Sequence, residues 1–504
     1  MYKGVSEFNI TDFNGGLLTS GNPFLAKANT SPNCLNVYAD RFGNLVRRDG
    51  ITAVNSTDLG GGTGYGLFDY EVNASQRKIV FVIDDKIYKM DNWDGVYDEI
   101  GSGFIKERWC FCNFNNTLLM VSPSNVAQYW DGASDYTTDL PQIPYGTSRI
   151  IAWKQRIWAI GADAHDLRYS APNDYTDWPS ENTWGIFSYA GDANQALALL
   201  RDFLFVFKKH SIYKVAYLGG SPLLDVQDTG ALTGTISPDT VKTVVWQGRK
   251  GLMFLGTDGK VYFFDGYSAP LAVSDPISDD NGEAPFDMTQ LNLGAIENAH
   301  AVVWPDYNWY ILFIPKKPSS SNNYALIFDY SKAPMAIWVW DNMNASCSAI
   351  CKFKNKNRAL FIDYDGDLQR MQYGNDDNGT AITAYWYSPH MIRGSVATLK
   401  GSRFVRITLK NVGDFTLKFR YRTGWDTDWQ EEEFTMLGGG DVLGSTFVLG
   451  QSALGGDRAV DKDLALPVHS NHIQFGVYSD GRIPSFEIYS MVEILSTPAG
   501  VGKG

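Results

Sequence analysis

The sequence predicts an all-β protein, a β-propeller of six or seven blades followed by a C-terminal β-sandwich domain. Three observations carry this expectation. A strand–turn–strand unit recurs along most of the chain at a fairly regular interval. The composition is 44% hydrophobic and 14% aromatic with 49 glycines, which suits short aromatic-rich strands joined by tight turns. Beyond residue 378 the strands lengthen and alternate more cleanly.

The unit is met first at Ile79-Val80-Phe81-Val82-Ile83, turned at Asp84-Asp85 into the alternating Lys86-Ile87-Tyr88-Lys89-Met90. It returns at 118–121 with 126–130, 157–160 with 167–170, 203–207 with 212–216, 252–255 with 260–264, 309–314 with 324–328, and 359–362 with 368–372. With Tyr88, Tyr129, Tyr169, Tyr213, Tyr262, Phe328 and Met371 as equivalent positions, the steps are about 41, 40, 44, 49, 66 and 43 residues. A lone hairpin is marginal in water, so a chain that repeats it must stack the copies. The long step holds a Pro/Asp/Gly-rich stretch at 270–287 and a loop at 316–323. The count stays at six or seven, because one hairpin can belong to the N-terminal arm or to an insertion.

Four segments follow. Residues 1–64 read as an arm and a hairpin, turned at Phe42-Gly43-Asn44 and partly packed on the propeller; residues 65–378 are the propeller, 379–496 the sandwich, and 497–504 a small, polar, flexible tail. Gly60 to Gly64 resembles a linker, since no Gly-Lys-Ser/Thr follows it and no helix opens after it. The Gly/Ser/Asp/Thr-rich stretch at 219–240 reads as a loop projecting from the propeller. In the C-terminal part Phe415, Leu417, Phe419 and Tyr421 fall on one strand face, with Thr416, Lys418, Arg420 and Arg422 on the other. Residues 438–456 form a Gly/Ser-rich excursion.

Charge and cysteine content narrow the function. The net charge is −13 and no long Lys/Arg run occurs, Arg47-Arg48 and Lys354 to Arg358 being short and read as solvated turn charges, which argues against gripping nucleic acid through its phosphates. The five cysteines, Cys34, Cys110, Cys112, Cys347 and Cys351, are odd in number and sparse, so they read as buried small side chains rather than a disulfide framework. Met1-Tyr2-Lys3 leads straight into polar sequence, so no signal peptide is expected; no apolar run is long enough to span a membrane.

No catalytic, cofactor-binding or metal constellation rises above an ordinary structural reading, and no enzyme activity or cofactor is expected. His469 and His472 flank a turn-like Ser470-Asn471 without further ligands to complete a metal site. No Gly-x-Ser-x-Gly elbow occurs. Asp94, Asp131, Asp265 and Asp365 each precede a glycine, which marks turn residues, and Glu431-Glu432-Glu433 is the densest acidic run. The stretch 169–178 is superficially similar to a sialidase Asp-box, but Tyr175-Thr176 stands where that box needs a glycine. In Arg47-Arg48-Asp49-Gly50, an arginine ending a strand is expected to fork onto a carboxylate of a neighbouring element, with Gly50 admitting the turn.

Several of these strings together resemble a family of bacteriophage virion proteins, the tail hub, nozzle or tubular (packaged-DNA stabilisation) proteins of short-tailed phages. The matching residues are 13–17 (FNGGL), 31–36 (SPNCLN), 43–50 (GNLVRRDG) and 169–178 (YSAPNDYTDW), where Asn173 and Tyr175 depart from the family pattern. C-terminal segments such as ITAYW at 382–386 and SFEIYSMVE at 485–493 are similar too. The resemblance implies a structural, non-enzymatic protein of the virion tail, made in the host cytoplasm. It further implies a homo-oligomeric ring of six copies that docks below the portal–adaptor complex against tail adaptor or head-to-tail connector proteins, with a tailspike or tail fibre and a tail needle as further neighbours. Such a ring retains packaged DNA and gates its ejection, and the DNA passes without sequence-specific binding. The alternative reading is a carbohydrate-binding or glycan-processing propeller, such as a receptor-binding module, prompted by 15 tryptophans and 27 tyrosines.

Overall fold

Seven four-stranded antiparallel sheets follow one another in the computed structural model, which describes residues 7–55, 61–73, 76–91, 93, 95–392, 399–410, 413, 415–436 and 459–496. Blade 1 is built of Gly64–Asn73, Gln76–Ile83, Lys86–Met90 and Asp98–Ser102, and blade 2 of Cys110–Phe114, Thr117–Val121, Gln128–Trp130 and Thr138–Asp139. Blade 3 takes Arg149–Trp153, Arg156–Ile160, Asp166–Tyr169 and Thr183–Gly185; blade 4 takes Asn194–Leu200, Phe203–Lys208, Ile212–Tyr217 and Leu224–Asp228. Blade 5 is Lys242–Trp246, Arg249–Leu255, Val261–Phe264 and Leu271–Ala272, and blade 6 is His300–Trp304, Trp309–Ile314, Tyr324–Asp329 and Ala336–Asp341. Blade 7 has Cys347–Phe353, Lys356–Ile362 and Leu368–Met371, and its outermost strand is Ile51–Ala53, from the early part of the chain. The innermost strands of successive blades lie side by side, and that of blade 7 meets that of blade 1. The protein is a seven-bladed β-propeller.

All seven hairpins read from the sequence supply second and third strands. Second strands are continuous apolar runs because neighbouring blades cover both of their faces; every residue of Trp309–Ile314 is buried. Between first and second strands, Asn115-Asn116, Lys154-Gln155, Gln247-Gly248 and Lys354-Asn355 all have positive φ at both positions, the turn whose twist matches antiparallel strands. The stretch 219–240 differs from the projecting loop expected of it: Leu224–Asp228 pairs with Ile212–Tyr217 as the outer strand of blade 4. An outermost strand is largely solvent-facing, so its polar composition imitates a loop. The long spacing between blades 5 and 6 holds the 3₁₀ turns Asp275–Ile277, Met288–Gln290 and Leu293–Asn298.

Two further antiparallel sheets follow the propeller. One runs Ala459–Ala465, Lys400–Lys410, Glu487–Ser496, Leu45–Arg47, Val37–Ala39, with Glu7–Ile10 and His469–Ser470 paired beside it. The other runs Gln430–Met436, Phe415–Thr423, Ile473–Ser479, Ala384–Tyr387, Asn33–Leu35. Val405, Ile407, Leu417, Phe419, Val477 and Met491 from the two sheets belong to one contiguous core that also takes in blade 6. The early residues are therefore shared: they donate a strand or hairpin to each sheet and then complete blade 7. The glycine-rich excursion at 438–456 and the tail at 497–504 lie outside the described residues.

The arginine fork expected in Arg47-Arg48-Asp49-Gly50 is present, but Arg47 and Arg48 are buried, 0% and 1% exposed, and not the solvated turn charges expected of so short a basic pair. Arg48 Nη1 and Nη2 donate to Asp377 Oδ1 and Oδ2 at 2.8 and 2.6 Å, with side chains only 1% and 4% exposed. Arg48 Nε donates to Asn36 Oδ1 (2.9 Å), whose amide in turn donates to Asp341 of blade 6 at 2.6 Å. A Cβ on Gly50 would stand 1.9 Å from the Asp376 carbonyl oxygen, so only glycine fits. Removing one partner strands a buried charge. Asp377→Ala is expected to cost about 3–5 kcal/mol of unfolding free energy in urea titration, and Arg48→Met/Asp377→Leu to recover much of that loss.

Candidate functional site

A cavity of about 380 Å³ opens where three parts of the chain meet: the early segment 18–32, the turn at 279–283 between blades 5 and 6, and the five-stranded sheet. Backbone links bring the first two together, since Thr19 and Ser20 amides donate to the Pro276 carbonyl at 3.0 and 3.2 Å. The turn is self-capped: Asp280 Oδ1 accepts from the Gly282 amide (2.7 Å) and Asn281 Oδ1 from the Glu283 and Ala284 amides, while the Asn281 side chain donates to the Pro32 carbonyl at 2.8 Å. This leaves Asp279, Asp280 and Glu283 along one wall.

The opposite wall is aromatic. Trp425 is 65% exposed, and its ring lies 4.6 Å from His390, 4.9 Å from His472 and 5.4 Å from Phe24. His390 and His472 face each other with their Nδ1 atoms 3.2 Å apart, so at most one of the two nitrogens carries a proton. Burial, together with His472 and Arg422, lowers the His390 pKa to about 4. Arg422 departs from the alternation expected of its strand. Its side chain turns in, donating from Nε to Gln474 Oε1 at 2.6 Å, pairing with Glu283, and lying over the Trp429 ring. Carboxylates on one side and an exposed indole on the other can hold a ligand that presents hydroxyl or amine hydrogens and a C–H face.

The sequence features that invited a catalytic reading have structural employment. His469 is exposed on a two-residue strand, away from the buried His472, which pairs instead with His390, 82 residues earlier. Glu431 pairs with Arg420 and Lys418, and Glu433 with Lys418, across neighbouring strands. Asp131 and Asp265 cap the turns they open. In the 169–178 stretch the Trp178 indole donates to the Tyr175 carbonyl and Asp174 caps Thr176, a set turn rather than a cleft. Burial raises the thiols of Cys34, Cys112 and Cys347 to about 12. Among the described residues no group of three His, Cys, Asp or Glu is placed to hold a metal ion, and no helix is long and apolar enough to cross a membrane. Sequence reasoning missed Trp425, His390 and Glu283; only the break in alternation at Arg422 hints at them, and only once its strand is known.

No family model matches this chain, and no curated protein matches it in sequence. Similar solved structures include YCF48 bound to D1 peptide (TM-score 0.40, 9% identity, 67% of this chain and 98% of that one). The RRP9 WD40 repeats give a TM-score of 0.42 at 10% identity over 65% of this chain and 99% of that one. The AfRom2 CNH domain gives 0.39 at 10% identity, covering 64% and 99%.

The depressed pKa of His390 has a consequence for stability. The unfolded chain takes up this proton near pH 6.5 and the folded one only near pH 4, so the unfolded state binds more protons in that window and stability falls as pH drops through it. His390→Asn is expected to flatten the slope of unfolding free energy between pH 6.5 and 4 by up to about 1.4 kcal/mol per pH unit, read from urea midpoints.

Proposed function

We propose that this chain is a structural, non-enzymatic component of a short phage tail. In this reading it is a nozzle or hub whose identical copies, six by the resemblance, form a ring below the portal–adaptor complex, hold back packaged DNA and open for its ejection. The observation that supports it best is the employment of the motif residues on which the family resemblance rests. Phe13 packs edge-on against Trp386 at 5.0 Å, Ser31 donates to the Tyr387 carbonyl at 2.7 Å, and Arg48 clasps Asp377. The first two join the early segment to the five-stranded sheet and the third joins it to the turn after blade 7, so the motifs specify one stiff body of the kind a load-carrying ring needs. The net charge of −13 suits a wall past which DNA slides, since like charges discourage adhesion.

The test is the mass of the purified protein in solution, alone and mixed with a portal–adaptor complex. The expected result is a monomer that joins the complex as a closed ring whose lumen is acidic or neutral. A protein that never joins the complex, or a ring with a strongly basic lumen, overturns the proposal.

A second reading, a glycan-binding module, draws on the cleft. Its exposed Trp425 beside Asp279, Asp280 and Glu283 is a fitting platform for a sugar ring, with the indole under the C–H face and carboxylates accepting from hydroxyls. On that reading Trp425→Ala abolishes retention on host surface glycans and leaves the unfolding midpoint unchanged; equal retention by both proteins removes it.

A further inference from the structure

The propeller axis holds a second cavity, of about 210 Å³, at the end where the innermost strands begin. The opening residues of four of these strands, Cys110, Lys242, His300 and Cys347, lie on its wall, as do Arg108 just before blade 2 and Asp239 just before blade 5. Arg149, which opens blade 3, stands behind them. Asp239 Oδ2 takes both arginines, Arg108 Nη1 at 3.2 Å and Arg149 Nη2 at 3.3 Å. Arg108 is further fixed by donating to the Asn298 and Ser346 carbonyls at 2.7 and 3.1 Å. The side chains of Arg108 and Asp239 keep 25% and 35% exposure, so the cavity is open to solvent along the axis.

The charges here do not balance. Arg108 and Arg149 bring two permanent positive charges and Lys242 a third, its pKa lowered by burial, against the single carboxylate of Asp239, in a protein that is acidic overall. His300 adds no positive charge at neutral pH, because burial and then Arg108 lower its pKa to about 3. Several donors also lack partners. Arg149 Nε, the Trp109 indole nitrogen and Ser348 Oγ are buried without a hydrogen bond, and Trp109 is only 5% exposed. Among the described residues the Lys242 ammonium has no hydrogen-bonding or ion-pairing partner within reach. An uncompensated cation cluster with unfilled donors is costly, and an acceptor-only anion relieves both faults together.

We propose that this axial cavity is a binding site for a small tetrahedral oxyanion of the phosphate type, held by Lys242 and Arg108 with Trp109, Ser348 and His300 around it and Arg149 adding its charge from behind the wall. The volume suits one such ion with a few waters and excludes a nucleotide or a polymer, given a share of about 30 Å³ for each water in the liquid. The lining donors come from the entry to blade 2 and the starts of blades 5 and 7, more than one direction, a better match to a tetrahedral acceptor than to a planar carboxylate. A bound anion would bridge the inner ends of these blades and tighten the ring where its strands lie closest.

The experiment titrates inorganic phosphate into the full-length protein by calorimetry, at constant ionic strength with gluconate as the only other added anion, and follows the thermal midpoint in parallel. One saturable site and a midpoint that rises with phosphate are expected. Lys242→Met is expected to weaken that binding at least about tenfold while leaving the phosphate-free midpoint unchanged or higher, because it removes an unpaired cation. His300→Gln is expected to weaken it less. Absence of saturable binding to the wild-type protein, or equal affinity in Lys242→Met, overturns the assignment and leaves the cavity to water.

Discussion

The buried fork of Arg48 on Asp377 is the constraint on which the rest of the structure depends. It lies between Leu45–Arg47 of the seven-stranded sheet and Ile51–Ala53 of blade 7, and it reaches Asn36, Asp341 and the 374–380 turn through one guanidinium. Next to it Arg47 donates to the Asn375 carbonyl and to that of Ile483. Two arginines thus satisfy polar groups from four parts of the chain in a place closed to water. A planar, permanently charged group with several donors can do this; a lysine, with one point charge, cannot.

This arrangement also explains how blades 5 and 6 and the two extra sheets share one core. Residues 33–53 run as a tie: Asn33–Leu35 edges one sheet, Val37–Ala39 and Leu45–Arg47 edge the other, and Ile51–Ala53 finishes the ring. Each of these strands is two or three peptide links long and would not hold alone. Their stability comes from burial against blade 6, where Tyr38 packs on Trp309 and the Trp340 indole donates to the Val37 carbonyl.

The sequence revealed the propeller well and its seams poorly. Second strands such as Trp309–Ile314 are legible because burial on both faces demands an unbroken apolar run, and third strands because Lys86–Met90 alternates. The closing strand Ile51–Ala53 has only three residues and a partner 300-odd positions away, and Leu224–Asp228 is polar enough to pass for a loop. Neither leaves a local signature. The arginine fork could be foreseen as chemistry, but its carboxylate, 329 residues distant, could not be named. The cleft and the axial cavity were illegible for a related reason. His390 meets His472 and Arg108 meets Asp239 only through the fold, and a polar residue opening an inner strand looks like any strand end until the ring is closed.

The shared use of the early residues bears on how the protein is made. During synthesis residues 33–53 emerge long before any of their partners, and they carry open strand edges until 368–371, 384–387 and 473–496 have left the ribosome. The six self-contained blades can form in order behind them, each from contiguous chain, whereas the seventh and both later sheets must wait. A truncated chain lacking the last two sheets would still close its ring through Ile51–Ala53, but Asn33–Leu35 and Leu45–Arg47 would be left without their later partners. Such a chain would expose unpaired backbone to its neighbours, so the same tie that stiffens the finished molecule also separates complete copies from incomplete ones.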